Sequence, residues 1–292
     1  MKNGEILNQI NQLLRVRNNR GIRQPKRPLP EYDKIWFPTP ETCQNPENLP
    51  PLQRKIFDNI SELQQRISLN PQSNEKDKET FLKQFDWSKS SSNADQIAEM
   101  QNILIEYYDI FAKHRFDVGY NTALKVKLTP AHDLPVYVQS PPTPIHLRDE
   151  ILVELALMQY YGIVTLLPNS KYSSPIFAQR KPSGKLRILI DLRRVNHLLR
   201  NDYSDNNFPI SNMTDAVHHF AGKTLFTKIH CSQAYHCVQM ADSLSVQLIS
   251  FNFSSRTYAY TRLAQGLNKS VTGFSSFVRS YLDSCLAANL CT

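Results

Sequence analysis

The chain has 292 residues, about two domains' worth at roughly 150 residues each. Hydrophobic residues make up 41% and charged residues 21%, a balance that excludes a wholly disordered tail, a collagen-like fibre and a coiled coil. The net charge is +8, glycine is scarce at 8 residues, and neither G-x-G-x-x-G nor G-x-x-x-x-G-K-[ST] occurs, which excludes Rossmann-type and P-loop phosphate turns.

Much of the charge sits in the first thirty residues, where Lys2, Arg15, Arg17, Arg20, Arg23, Lys26 and Arg27 face a single acid, Glu5. Clustered Lys and Arg suit a polyanion partner, because phosphate contact releases counterions. A solvated terminus is the other reading. Within this arm, Ile6, Ile10, Leu13 and Leu14 predict a short helix over Glu5 to Val16. Asn and Gln interrupt the apolar residues there, which argues against an export signal.

Prolines recur from Pro25 to Pro51 and read as extended linker. A helix is predicted from about Arg54 to Leu69, ended by Asn70-Pro71. A Phe81/Leu82/Phe85 patch and a serine run lead to Asn93, which with Gln96 forms a capping box for a helix carrying Ile97, Met100 and Leu104. Leu124, Val126 and Leu128 alternate like a strand. Asp149 to Tyr161 predicts a strong helix closed by Gly162. Its neighbourhood is the most apolar in the chain, but Glu154, Gln159 and Gly162 argue against a membrane span.

Two strand-like runs follow, Pro175 to Arg180 and Lys185 to Asp191, joined by Lys181-Pro182-Ser183-Gly184 in the pattern of a type I turn. This is a β-hairpin with a basic tip. Beyond it the pattern predicts a helical stretch near Asn212 to Phe220 and strands at Thr224 to His230, Val246 to Phe253 and Arg256 to Leu263. The last of these alternates Tyr258, Tyr260 and Arg262. A final helix runs from about Val271 to Ala288 with Phe274 and Phe277 inward. Helices mixed with hairpin-connected strands make the fold class α+β. The five cysteines are odd in number in a chain too long to need staples, so reduced thiols and an intracellular location are expected.

From about Ile97 onward, the order of segments resembles the reverse transcriptase of a gypsy-type LTR retrotransposon Pol polyprotein. "EYYDIFAKHRFDVGYNTALKVKLTP" looks like the segment before the fingers, and "GIVTLLPNSKYSSPIFAQRKPSGKLRILIDLRRVN" like the fingers hairpin. "FTKIHCSQAYHCVQM" is similar to the first palm motif, and "LAQGLNKSVTGFSSF" to the nucleotide-contacting loop and the helix after it. The implied organisation is a basic, Pro-rich, partly disordered connector with short helices over residues 1–92, then reverse-transcriptase-like fingers and an incomplete palm over 93–292. The implied activity is RNA-directed DNA polymerase, a nucleotidyltransferase, with template–primer nucleic acid and a dNTP as partners, no membrane, and Mg²⁺ as cofactor.

Under this resemblance Arg187 falls at the phosphate-binding arginine, with Lys181 and Lys185 beside it. A guanidinium or ammonium on a hairpin can close over a triphosphate. Tyr235 falls at the aromatic whose ring leaves no room for a 2′-hydroxyl. Gln265 and Gly266 match the loop where the glutamine lies against the nucleotide and glycine lets the backbone approach. Asp191, Arg193 and Asn196 are expected to brace the hairpin.

One departure bears on chemistry. The family places an aspartate before "CSQAYH", one of three carboxylates holding two magnesium ions, and this chain has His230 there. Mg²⁺ demands hard oxygen donors, and a neutral imidazole offers one softer nitrogen that cannot bridge two metals. The other two carboxylates belong to a Tyr-x-Asp-Asp hairpin expected where the sequence reaches Cys291-Thr292. The expectation is therefore a polymerase region without that hairpin, thumb or RNase H, catalytically inactive and binding no metal productively. The alternatives are a non-catalytic nucleic-acid-binding or interaction protein derived from the element, and a remnant. His230, Cys231, His236 and Cys237 lack the paired spacing of structural zinc sites.

Overall fold

The structure, a computed structural model, describes residues 36–88, 92–119, 124–182, 186–199 and 230–287 together with Ser90, Gly184, His218, Ala221 and Gly222, and side chains up to residue 280. The predicted helix at Glu5 to Val16, the basic arm (Arg15, Arg17, Arg20, Arg23, Lys26, Arg27), Lys185, and nearly all of the stretch predicted as a helix and strand before His230 lie outside the described residues.

Helix α1 spans Pro51–Ile67, α2 Glu75–Leu82 and α3 Ala94–Glu106. Helix α1 begins three residues earlier than the periodicity indicates because Pro51 occupies its first turn, where a missing N–H costs nothing and φ is already helical. The predicted capping box of α3 is present: Asn93 Oδ1 accepts the Gln96 N–H at 2.9 Å and Gln96 Oε1 accepts the Asn93 N–H at 3.0 Å. The Phe81/Phe85 patch belongs to α2 and the turn after it, where edge-to-face contacts join Phe81 to Phe85, Tyr108 and Phe111.

The described part of the Pro-rich stretch is anchored, which corrects its reading as extended linker. Phe37 and Thr39 are buried, and the Arg256 guanidinium lies 4.0 Å from the Trp36 ring centroid. Proline recurrence disfavours long helices and strands there, where a single 3₁₀ turn forms at Pro46–Asn48 among the described residues, but it carries no information about docking.

Strand β1 (Lys125–Val126) precedes the central helix α4 (Ile145–Tyr160). Helix α4 buries Ile151, Val153, Leu155, Ala156, Leu157 and Met158, apolar on nearly every side, as a helix enclosed by other elements must be. It packs on α1, whose Ile56 and Ile60 are fully buried in the same core. Each such isoleucine contributes on the order of 2 kcal/mol. Gly162 ends α4 at φ +66°, the Gly162 N–H donating to the Gln159 carbonyl and the Ile163 N–H to that of Met158. This is the left-handed glycine stop that the sequence predicted.

Strands β2 (Val164–Leu166), β6 (Ser250–Phe253) and β7 (Arg256–Tyr260) form an antiparallel sheet in the order β2-β7-β6. Strands β3 (Ile176–Arg180) and β4 (Leu186–Ile190) form the predicted hairpin, in register from Ile176↔Ile190 to Arg180↔Leu186. The Gly184 N–H donates to the Lys181 carbonyl at 2.8 Å, closing the expected turn. Helix α5 (Arg193–Leu198) follows, and β5 (Gln239–Met240) pairs in parallel with β1.

The strand predicted over Val246 to Phe253 is corrected in its first half, which forms helix α6 (Ser243–Leu248). Asp242 accepts the Ser245 N–H at 2.8 Å and nucleates a turn that the apolar run does not reveal. Strand β7 pairs with β2 and β6 up to Tyr260; beyond it the chain stays extended to Leu263 and pairs instead with β5, Arg262 bridging Gln239 and the Met240 N–H donating to the Thr261 carbonyl at 3.0 Å. The last helix, α7 (Lys269–Ala287), lays Phe274 and Phe277 against the core as predicted. Gly273 permits that approach, since a Cβ there would lie 2.9 Å from Val126 Cγ2. The architecture is α+β.

Candidate functional site

The site is built where β4, α5 and the loop between β7 and α7 meet. Alternation along β4 puts Leu186, Ile188 and Ile190 toward the core and leaves Arg187 exposed. The Arg187 guanidinium donates to the Gln265 side-chain carbonyl, across 78 residues of sequence. Gly266 follows at φ +88°, and a Cβ there would stand 3.3 Å from the Ile190 carbonyl oxygen. Backbone approach of this kind requires glycine. From α5, Asn196 Nδ2 donates to the Gly266 carbonyl at 2.8 Å, and Asn196 Oδ1 accepts the Asn268 N–H at 3.0 Å. Three of the predicted residues, Arg187, Gln265 and Gly266, therefore lie together on one rim.

Asn196 braces this loop and not the hairpin itself, which corrects the expected role. Asp191 is tied by Arg193, whose Nη2 donates to Oδ2 at 2.6 Å, holding the Asp191 carboxyl below its usual range. Among the described residues that side-chain pair is local and crosses to no other element.

Lys181 is exposed at the hairpin tip. The residue fixing the tip is one that sequence reasoning missed. Arg180 donates to Glu150 Oε1 on α4 at 2.7 Å and to the Gly184 carbonyl at 3.0 Å. Nothing in the spacing signals this pair, because the partners are 30 residues apart on different elements.

Tyr235 lies in a short 3₁₀ turn, Ala234–Cys237, entered through Gln233 at φ +51°. Its ring meets Phe274 of α7 edge-on, with centroids 6.0 Å apart. The next residue, His236, is buried. Its Nδ1 lies 3.0 Å from the Leu263 carbonyl and its ring stacks on Tyr260. Burial pushes the imidazole down to about 4, so at neutral pH it is uncharged and Nδ1 carries the donated proton. Arg262 Nη1 in turn donates to the His236 carbonyl and the Gly119 carbonyl, both at 2.9 Å. The tyrosine turn and the glutamine loop are thus stitched together. The signal for Arg262 was present in the Tyr258/Tyr260/Arg262 alternation, which put an arginine on an inward face.

His230 is exposed and begins the segment leading into the tyrosine turn. The imidazole is a soft, single donor, and among the described residues no group of three or more His, Cys, Asp or Glu is placed to hold a metal. Cys43 and Cys231 are free thiols. No helix among the described residues is long and apolar enough to cross a membrane.

No protein-family model matches the chain. It is 28% identical over 188 residues to the retrovirus-related Pol polyprotein of the Drosophila melanogaster transposon 412, covering 61% of this chain and 14% of that protein. Against the corresponding polyprotein of the Drosophila melanogaster transposon opus it is 24% identical over 199 residues, covering 66% and 19%. The chain thus spans less than a fifth of the curated relatives it matches. Among solved structures, a foamy viral protease–reverse transcriptase in complex with double-stranded DNA superposes with a TM-score of 0.58 at 18% identity, covering 70% of this chain and 35% of that one. A prototype foamy virus protease–reverse transcriptase superposes with a TM-score of 0.54 at 18% identity, covering 71% and 26%. At such identity these structures show the fold alone. Sequence and fold together make this chain a relative of retroelement Pol polyproteins, in the region that carries the reverse-transcriptase fold.

Proposed function

We propose that this chain is a retroelement-derived reverse-transcriptase region, fingers and part of a palm, that holds template–primer nucleic acid and a nucleotide but does not polymerise. The observation that carries the binding half is the meeting of Arg187, Gln265 and Gly266 on one rim, with Asn196 bracing the loop. Exposed Arg187 offers a planar fork of donors to phosphate oxygens, and Lys181 adds a mobile charge at the tip. Tyr235 supplies the ring against which the sugar is judged. Lys185 and the basic arm add further positive charge that a polyanion would meet. A solved relative of the same fold is described in complex with double-stranded DNA and another with an RNA/DNA hybrid, which supports a nucleic-acid partner.

The inactive half rests on His230. A polymerase of the resembled kind uses magnesium to activate and align phosphoryl transfer, and the donors present here do not fit that ion. What the chain's own residues do is bind and orient: Arg187 and Lys181 meet phosphate, Gly266 admits backbone contact, and Tyr235 and Gln265 frame the sugar and base. The test is a pair of measurements on the same preparation, primer–template binding by fluorescence anisotropy and nucleotide incorporation by primer extension. Binding without incorporation is the expected result, and incorporation would overturn the proposal.

A further inference from the structure

Arg262 is buried, yet its guanidinium is spent on backbone carbonyls of three separate segments: Gly119, Gly162 and His236. A buried arginine serving only to fill space would be a costly choice, because its charge must be compensated donor by donor. The positions it joins are specific. Gly162 ends α4, His236 follows Tyr235 directly, and Arg262 itself lies three residues before Gln265. His236 returns the tie, since its Nδ1–H donates to the Leu263 carbonyl, one residue beyond Arg262. The backbone closes the same seam, with the Leu263 N–H donating to the Val238 carbonyl at 2.9 Å.

Resting on the nucleotide-site reading above, we infer that Arg262 and His236 are positioning residues that set the spacing between Tyr235 and Gln265, and so set how strictly the site discriminates deoxyribose from ribose. Tyr235 cannot fix this spacing by itself. Its ring packs on the core and meets Phe274 edge-on, a contact without the directionality of a hydrogen bond. The hydrogen bonds one residue later are directional and buried, which makes them the rigid part of the frame. His236 is suited to this because its burial keeps it neutral, so that it donates from Nδ1 without adding a second charge beside Arg262.

The test uses the full chain bound to a primer–template with a templating G, and measures the dissociation constants of dCTP and CTP for wild type, His236→Phe and Arg262→Lys. His236→Phe keeps an aromatic ring for the Tyr260 stack and loses the bond to Leu263. Arg262→Lys keeps the charge and loses the fork, and it carries the test should the first variant not fold. In wild type dCTP binds more tightly than CTP. In the variants the ratio of the two constants moves toward one by about fivefold, the scale of losing one buried hydrogen bond. An unchanged ratio, or an equal weakening of both nucleotides, makes these residues merely structural and overturns the inference while the nucleotide site stands. Failure of the wild-type chain to bind dCTP, or to prefer it, removes the site reading itself and the inference with it.

Discussion

Asn196 spans the gap to the 265–268 loop with both ends of its amide, donating to the Gly266 carbonyl at 2.8 Å and accepting from the Asn268 N–H at 3.0 Å. The α5 helix thereby fixes a loop that carries two of the residues assigned to the site. Replacing Asn196 by alanine removes both bonds, each worth roughly 1 kcal/mol. The expected outcome is a modest loss of stability with a larger loss of nucleotide affinity. Aspartate at 196 keeps the acceptor and loses the donor, so it should fall between the two. Equal nucleotide affinity in all three proteins would show that the brace does not shape the site.

The β6–β7 hairpin turns on Ser254 and Ser255 at φ +48° and +61°, between Phe253 and Arg256, which face each other in register. Two consecutive left-handed residues are the signature of the tightest hairpin turn, and serine bears the steric cost that Asn-Gly avoids. The double change Ser254→Asn with Ser255→Gly should raise stability by about 1 kcal/mol, read as an upward shift in thermal midpoint. A lowered midpoint would mean that the serines serve a contact at that turn.

Glu41 provides a pH-dependent tie between the Pro-rich segment and α4. Partial burial alone would raise its carboxyl, but the Tyr160 hydroxyl, Thr39, its own backbone N–H and Gln64 together hold it down at about 2. Tyr160 donates at 2.7 Å and Gln64 at 2.6 Å, both to Oε1. A carboxyl lowered in the folded state stabilises it fully above the unfolded value near 4.5, and that contribution disappears as pH falls through about 2. Thermal midpoints of wild type and Glu41→Gln should therefore differ at pH 7 and converge from about pH 4.5 downward. A pH-independent difference would assign the effect to packing and not to charge.

The basic arm lies outside the described residues, and its role is tested in solution. Deletion of residues 1–30 should weaken nucleic-acid affinity and flatten its dependence on salt, because fewer counterions are released. Sequence preference should hardly change, since phosphate contacts carry no base information. An unchanged affinity and slope would leave the arm as a solvated terminus.

The fold was legible wherever local chemistry decides it. Gly162, the Asn93/Gln96 box and the Lys181–Gly184 turn each satisfy backbone groups within a few residues, so the sequence displays them. The site was legible only as a set of candidates. Arg187, Gln265 and Gly266 could be named, but their meeting depends on tertiary packing over 78 residues. Asn196 reads as a brace of the hairpin for the same reason, since its partners in the loop, Gly266 and Asn268, lie 70 and 72 residues away. Val246 read as strand because its apolar run was visible, whereas the capping bond from Asp242 that turns it into helix depends on one rotamer. The packing of Arg256 over the Trp36 ring is hidden from the sequence entirely, because proline-rich composition reports what a segment cannot form and not what it touches.

The proposal that His230 prevents polymerisation is tested by primer extension on four proteins. The four are the chain itself, His230→Asp, the chain fused to the segment of a curated relative that supplies a Tyr-x-Asp-Asp hairpin and thumb, and that fusion with His230→Asp. The 292 residues contain no Asp-Asp pair, so the fusion adds the two further carboxylates and isolates the histidine. Metal ligands act as a unit, and restoring one without the others regains little. Only the fusion with His230→Asp should incorporate nucleotide in Mg²⁺, exceeding the fusion that keeps His230 by on the order of 10³-fold. Robust incorporation by the unmodified chain, or equal rates for the two fusions, would contradict the claim.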